Sequence, residues 1–89
     1  MQTNIAFLEL EYGKLKSIDV HGLTKEEAKV ELIYNIEMVD LDIKGLVITH
    51  GYHHGRVLKE FIRKEFSHRN IYKIINIDAS RTLLLLNFK

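Results

Sequence analysis

Asp19 and His21 are the residues whose types and spacing best fit acid–base chemistry. They alternate with Ile18 and Val20 in the stretch from Ser17, and this alternation predicts a strand with both polar side chains on one face. A carboxylate beside an imidazole forms an acid–base pair, because the imidazole titrates near neutral pH while the carboxylate orients its ring. An isolated pair of this kind is more often two polar residues at the end of a strand, so its chemistry needs support from elsewhere.

The segment from His50 to Gly55 is a second candidate site. It reads His-Gly-Tyr-His-His-Gly and lies between the apolar residues 46–48 and a helix predicted to begin near Arg56. Glycines allow close approach of the backbone, and amides at the start of a helix bind anions such as phosphate. The alternative is an ordinary connection with incidental histidines, and the segment is not a Walker A loop, because no Lys followed by Ser or Thr comes after its second glycine.

Positive charge is concentrated beside this loop, although the net charge of the chain is only +1. Residues 1–43 contain four lysines and nine acidic residues, whereas residues 44–73 contain seven lysines and arginines and two acidic residues. This polarity indicates a basic face that meets phosphates, or a chance imbalance between solvated helices. The candidate phosphate-binding residues belong to the loop and the basic helix after it: His50, Gly51, Tyr52, His53, His54, Gly55, Arg56, Lys59 and Arg63.

The histidines also suggest metal binding as a third kind of site. The adjacent His53 and His54 seldom reach one ion together, and the chain has no Cys, so a site would need His21 or His50 together with Asp19. We therefore assign no metal ligand and no definite cofactor. Mg²⁺ and Mn²⁺ are the ions that the chemistry would recruit if it uses a metal.

The elements that position these residues follow from hydrophobic periodicity and turn signals. The predicted order is β-β-α-β-α-β-β, with Thr24 and Glu27 forming a capping box at the start of the first helix. The predicted strands cover residues 5–12, 17–21, 46–49, 71–78 and 82–88, and the second helix covers residues 56–68. We expect an α/β fold of the two-layer α+β sandwich type, with two helices on one face of a mixed sheet of four to five strands.

Length and composition limit the organisation of the chain. Its 89 residues allow one domain, with a core over 17–88 and a strand extension over 1–16. The longest apolar run, Leu83 to Leu86, is far shorter than a membrane span, and no signal peptide is visible. We expect a cytoplasmic protein without a membrane partner, either a monomer or a weak homodimer through an edge strand.

Both candidate sites follow predicted strands. Ligands of α/β sheets collect at the carboxyl ends of strands. If the two strands are neighbours, the pair at Asp19 and His21 and the loop that starts at His50 converge on one site.

Two segments resemble the signatures of Smr (small MutS-related) domains. Residues 18–24, Ile-Asp-Val-His-Gly-Leu-Thr, are similar to the family's Leu-Asp-Leu-His-Gly signature. Residues 47–58, Val-Ile-Thr-His-Gly-Tyr-His-His-Gly-Arg-Val-Leu, are similar to its His-Gly-x-Gly-x-Gly loop and the helix that follows. With the closing strands included, the resemblance covers about residues 17–88. The chain departs from the second signature where His53 replaces the middle glycine and where Tyr52 stands at a position that is often Lys or Arg.

The resemblance implies both a fold and a function. The fold would be similar to the C-terminal domain of the third bacterial translation initiation factor. Because Smr domains nick DNA or cleave RNA, the resemblance assigns catalysis to Asp19 and His21, and binding of nucleic acid to the loop, where Tyr52 could stack on a base. Our hypothesis is an endonuclease, a hydrolase acting on phosphodiester bonds. The alternatives are a non-catalytic module that binds RNA, DNA or the ribosome, and a small domain without a nucleic-acid partner.

Overall fold

The structure is a computed structural model that describes residues 4–51 and 56–88. Its helices and strands follow the chain in this order: α1 (Ile5–Tyr12), β1 (Leu15–Asp19), α2 (Lys25–Met38), β2 (Gly45–Thr49), α3 (Arg56–Glu60), a π-helical turn here called the π-turn (Phe61–Glu65), β3 (Ile71–Asn76) and β4 (Arg81–Leu86). No helix in these two ranges is both long and apolar enough to cross a membrane.

The four strands form one mixed sheet in the order β1-β2-β4-β3. β1 and β2 are parallel neighbours joined through α2, with Asp19 opposite Thr49, and β4 runs antiparallel to both β2 and β3. The predicted α+β class, the parallel crossover and the closing antiparallel hairpin are therefore confirmed. The strand β1 begins and ends two residues earlier than the predicted 17–21, so His21 lies beyond it in a turn, and the last two strands also end earlier than predicted, at Asn76 and Leu86.

The prediction of a strand over residues 5–12 is wrong, because the structure places α1 there. The side chain of Asn4 accepts a hydrogen bond from the amide of Ala6, which caps the first turn, and Gly13 ends the helix with a φ of +97°. The segment alternates Leu and Glu as a strand would, but both residue types are strong helix formers. With an N-cap before them and a glycine after them, the helix prevails over the short alternation.

The sheet also has helices on both faces, rather than on one as expected. One face carries the main core, in which Ala28, Leu32 and Ile36 of α2 and Phe61 and Ile62 of the π-turn pack on the sheet. The other face presents a smaller cluster, which is built on Val47, Leu83 and Leu85 and is partly covered by Ile5 and Tyr12 of α1. The N-terminal segment is thus a third helix that shields apolar strand residues from water.

The helix α2 begins as predicted and carries an acidic outer surface. The amide of Glu27 donates to the hydroxyl of Thr24, and the amide of Thr24 donates to the carboxylate of Glu27, which completes the capping box. Exposed acidic side chains follow along the helix, at Glu26, Glu27, Glu31 and Glu37. We call these four residues the acidic surface of α2.

The second predicted helix is shorter than expected and changes its winding. The amide of Phe66 donates to the carbonyl of Phe61 across 2.7 Å, a π-type bond five residues apart, and helical structure ends at Glu65 rather than His68. Of the apolar residues in this segment, Val57 is exposed and the others are buried: Leu58, Phe61, Ile62 and Phe66. The π-turn does not separate Arg63 from Lys59, since both line one depression beside β3.

Candidate active site

The carboxyl ends of β1 and β2 lie side by side, which brings the two sequence-predicted sites together. The amide of Val20 donates to the carbonyl of Thr49 across 2.9 Å, so the parallel pairing continues to the last residues of both strands. Asp19 and His21 therefore lie beside Gly51, the second residue of the predicted loop. The expected convergence is confirmed for these three residues.

Asp19 and His21 form a directly bonded pair. The Nδ1 atom of His21 lies 2.6 Å from Oδ1 of Asp19, and the backbone amide of His21 donates to the same oxygen across 3.0 Å. Because these hydrogen bonds, and first of all the one from the ring, stabilise the carboxylate, the pKa of Asp19 is lowered from its ordinary value. An ionised carboxylate only accepts hydrogen bonds, so the neutral imidazole carries its proton on Nδ1 and keeps the lone pair on Nε2.

A tight turn places His21 at the corner of the chain. The amide of Leu23 donates to the carbonyl of Val20 across 3.1 Å, and Gly22 has the left-handed φ of +80° that a type II turn requires at its third position. The side chains of His21 and Asp19 remain 68% and 57% exposed. The imidazole is thus fixed on one side by Asp19 while a large part of the pair stays open to a ligand.

Gly51 makes the closest described approach of the loop to this pair. Its φ is +90°, and a Cβ atom added there would lie 3.3 Å from the Cβ of His21. The amide of Gly51 donates to the carbonyl of Ser80 across 3.3 Å, which ties the start of the loop to the turn between β3 and β4. A glycine at this position therefore satisfies both the backbone conformation and the small space.

His50 is buried, with only 1% of its surface exposed. Its Nδ1 lies 3.3 Å from the carbonyl oxygen of Gly51, which can only accept, and its Nε2 lies 3.0 Å from the hydroxyl of Thr82. Nδ1 is therefore the donor, and in the neutral ring Nε2 accepts the hydroxyl proton of Thr82. Burial is the largest cause of its lowered pKa. In this conformation His50 holds the start of the loop to β4 instead of presenting its ring to a ligand.

Arg63 is also engaged within the fold. Its Nε donates to the hydroxyl of Thr82 across 2.7 Å, and its Nη2 donates to the carbonyls of Asp78 and Arg81 at 2.6 and 3.0 Å. This fork joins the π-turn to the β3–β4 turn. The structure thus gives Arg63 a positioning contact, while its predicted contact with nucleic acid stays a prediction.

Arg56 and Lys59 are the more accessible cations of the same helix. The side chain of Arg56 is 84% exposed and pairs with Glu60 at 3.5 Å, and Lys59 is half-buried. The remaining loop residues, Tyr52, His53, His54 and Gly55, lie outside the described residues. Their predicted roles stay predictions.

Sequence patterns did not identify Thr49 and Arg81, which extend a row from Asp19 across the sheet. Asp19, Thr49 and Arg81 are register partners across β1, β2 and β4, and they point to the same face. Arg81 pairs with Asp78 at 2.8 Å, and although burial raises the pKa of Asp78, the hydrogen bonds from Arg81 and Ser80 hold it below its ordinary value. The strand order, which the sequence did not provide, is the information that would have placed this hairpin beside the pair.

The pair at Asp19 and His21 does not by itself form a metal centre. Within residues 4–51 and 56–88, no group of three or more His, Asp or Glu side chains could hold an ion. Asp19 and His21 supply two donors, and one of the two ring nitrogens is taken up by Asp19 itself. These donors fall short of a complete set of ligands for Mg²⁺ or Mn²⁺.

Comparison of the chain with known protein families, with curated proteins and with solved structures finds no match. Its function is therefore inferred from the geometry of the site and from the residues themselves.

Proposed function

We propose that this chain is a nucleic-acid-binding domain of the Smr type that cleaves phosphodiester bonds, with RNA as the favoured substrate. The observation that carries the proposal is the 2.6 Å contact between Asp19 and Nδ1 of His21. It leaves Nε2 as the basic nitrogen of an exposed imidazole, which is the arrangement a general base requires. The two sequence signatures, which meet at the ends of neighbouring strands, support the same assignment.

The reaction on RNA uses His21 as the proton acceptor. Nε2 of His21 takes the proton of a ribose 2′-hydroxyl while that oxygen attacks the adjacent phosphorus, and the bond from phosphorus to the 5′-oxygen breaks. The products are a 2′,3′-cyclic phosphate and a 5′-hydroxyl, whose proton comes from the imidazolium directly or through water. Asp19 orients the ring and stabilises its positive charge, as a carboxylate does for a catalytic imidazole.

Binding of the substrate depends on positive charge near the pair. Arg56 begins the helix that follows the loop, and its exposed guanidinium is able to neutralise a phosphate. Lys59 lies one turn further along α3. We propose that these two cations, together with the loop from Gly51 to Gly55, hold the sugar–phosphate chain beside His21.

Cleavage of end-labelled single-stranded RNA tests the proposal. Wild-type protein should cleave the RNA but not its 2′-deoxy counterpart, and His21→Ala should lose the activity. Each reaction is run with EDTA, Mg²⁺ or Mn²⁺. Lys29→Ala, an exposed change on α2, serves as the control for preparation and folding. Wild-type activity in His21→Ala would contradict the mechanism.

A non-catalytic binding module is the second candidate. One observation favours it: among the residues that the structure describes, the ring of His21 has a hydrogen bond to Asp19 alone, with no second acid–base group bonded to it. This function predicts binding of RNA without cleavage under any of the metal conditions. The same assay therefore separates the two candidates.

A further inference from the structure

A groove follows β3, the strand at the edge of the sheet opposite to β1. It consists of three adjoining depressions of about 430, 320 and 540 Å³, of which the first two share Ile74 and the last two share Tyr72. We call this the β3 groove and define it by six lining residues: Lys59, Lys64, Arg69, Tyr72, Lys73 and Ile74.

The β3 groove is basic along its whole length. Lys59 and Lys64 line its first part, Lys73 its middle and Arg69 its far end. None of these four cations has an ion pair with a residue that the structure describes. Glu60 is the acidic residue of the lining, and its carboxylate pairs with Arg56. A strip of unpaired cations of this kind is complementary to a polymer of phosphates.

An aromatic ring stands in the middle of this basic strip. The register between β3 and β4 shifts between Ile71 and Lys73, and the extra residue, Tyr72, is 62% exposed. Phe88 and the amide side chains of Asn70 and Asn87 line the adjoining depression. Exposed aromatic rings stack on unpaired bases, and amides donate to and accept from base edges.

The combination favours a single strand of nucleic acid over the other possible occupants. A duplex buries the faces of its bases, so it offers Tyr72 nothing to stack on. An extended peptide could pair with the free edge of β3, but a peptide supplies no regular row of negative charge for the four cations. Charge and stacking surface together therefore select one class of ligand.

The β3 groove opens at the same end of the sheet as the Asp19–His21 pair. Asn76 lines its first depression and is the register partner of Thr82, which bonds to His50. From there the groove leads away from the site along β3. A strand bound beside His21 could continue into it around the end of the sheet.

We propose that the β3 groove binds a single-stranded segment of nucleic acid, with phosphates on Lys64 and Arg69 and a base stacked on Tyr72. This inference rests on the proposed function and adds to it the substrate class, a single strand, and a binding track remote from His21. In this proposal the groove contributes affinity and orients the bound strand, whereas Asp19 and His21 carry out the cleavage.

Binding of a fluorescent 16-nucleotide oligo-U and of a matched RNA duplex tests the track. Wild-type protein should prefer the single strand, and Lys64→Gln/Arg69→Gln, which leaves the cations proposed to act beside His21 in place, should weaken its binding about tenfold or more at low salt. That variant should also reduce the slope of log affinity against log salt by roughly 1.4, since each phosphate contact on a single strand contributes roughly 0.7. Lys16→Gln/Lys29→Gln carries the same charge change outside the groove and should bind as wild type.

Stacking is tested separately at Tyr72. Tyr72→Ala should weaken oligo-U binding about fivefold or more without changing the salt slope, and Tyr72→Phe should restore it, because the ring makes the contact. A glutamate homopolymer of equal charge serves as the peptide competitor. Equal competition by this peptide, equal binding of the duplex, or unchanged binding in Lys64→Gln/Arg69→Gln would each overturn the proposal.

The outcomes distinguish this inference from the proposed function. Loss of cleavage in His21→Ala together with unchanged binding in the groove variants would keep the nuclease and remove the track. Weakened binding in the groove variants of a protein that cleaves nothing would keep the track and remove the nuclease.

Discussion

Gly51 and His21 pack directly against each other, because a Cβ atom at position 51 would lie 3.3 Å from the Cβ of His21. The contact joins the second residue after β2 to the second residue after β1. The position of the imidazole is therefore controlled from two sides, by the carboxylate of Asp19 and by the absence of a side chain at Gly51.

Gly51→Ala and Gly22→Ala form a matched pair of variants. Both glycines have a left-handed φ, so each substitution should lower the free energy of unfolding by about 1–2 kcal/mol. A methyl group at position 22 meets nothing within 4 Å, whereas one at position 51 meets His21. Chemical denaturation and the cleavage assay should therefore show a larger loss of both stability and activity in Gly51→Ala. Equal losses in the two variants would contradict the close packing of Gly51 on His21.

Asp19→Asn tests the orientation of the imidazole. The amide no longer offers a negative charge to Nδ1–H, so neither the tautomer nor the imidazolium is stabilised. We expect cleavage of RNA to fall about 10²-fold while the affinity for an uncleavable 2′-deoxy strand stays near that of wild type. Asp40→Asn makes the same change at an exposed position between α2 and β2 and should keep full activity. Retention of the wild-type rate in Asp19→Asn would remove Asp19 from the mechanism.

Stability should depend on the protonation of His50. Its pKa in the folded state lies below the ordinary 6.5, chiefly because of burial, so protons bind the unfolded chain more readily. The free energy of unfolding should therefore fall as the pH drops from about 6.5 towards the lowered pKa of His50. In His50→Gln this contribution disappears, and urea denaturation between pH 7.5 and pH 5 should show a smaller decline than in wild type. An identical decline in both proteins would refute the assignment.

Substitution of Arg63 should lower mainly the stability of the fold, whereas substitution of Arg56 should lower mainly the affinity for RNA. Arg63→Lys loses the planar fork that bonds to Thr82 and to two carbonyls, and we expect about 1.5–3 kcal/mol less stability. Arg56→Ala removes an exposed cation, and its stability should stay within about 0.5 kcal/mol of wild type while the affinity for RNA falls at low salt. If Arg63→Lys keeps its stability and loses affinity for RNA, while Arg56→Ala loses stability instead, Arg63 belongs to the binding surface.

Much of the fold could be predicted from local signals in the sequence. The capping box at Thr24 and the alternation of buried and exposed residues around Asp19 depend on neighbouring residues, and both appear in the structure, although the strand itself ends at Asp19. The segment from Ile5 to Tyr12 is the exception, because the alternation of Leu and Glu over residues 8–11 satisfies both a strand and a helix pattern. Attention to Asn4 and Gly13 as cap and stop would have decided for the helix.

The site was less predictable, because its contacts are not local. The sequence predicts His50 and Gly51 as loop residues. The ring of His50 is buried against Thr82 of β4, and this contact depends on the strand order, which places β4 beside β2. The positioning contact of Arg63 depends on Thr82 and on the carbonyls of Asp78 and Arg81, which are distant in the sequence, so the helix pattern alone does not predict it. The β3 groove depends on the exposed bulge at Tyr72, which arises from register and not from composition.

The helix α2 connects β1 to β2 at one edge of the sheet, whereas the β3 groove follows the other edge, and Glu37 of the acidic surface reaches the groove through its 3.3 Å contact with His68. A diffusing polyanion therefore meets a repulsive side and an attractive side of the same small molecule. The protein should rotate during encounter so that β3 faces the strand first, and collisions on the α2 side should end without capture. The association rate constant should then depend on ionic strength more strongly than the dissociation rate constant does.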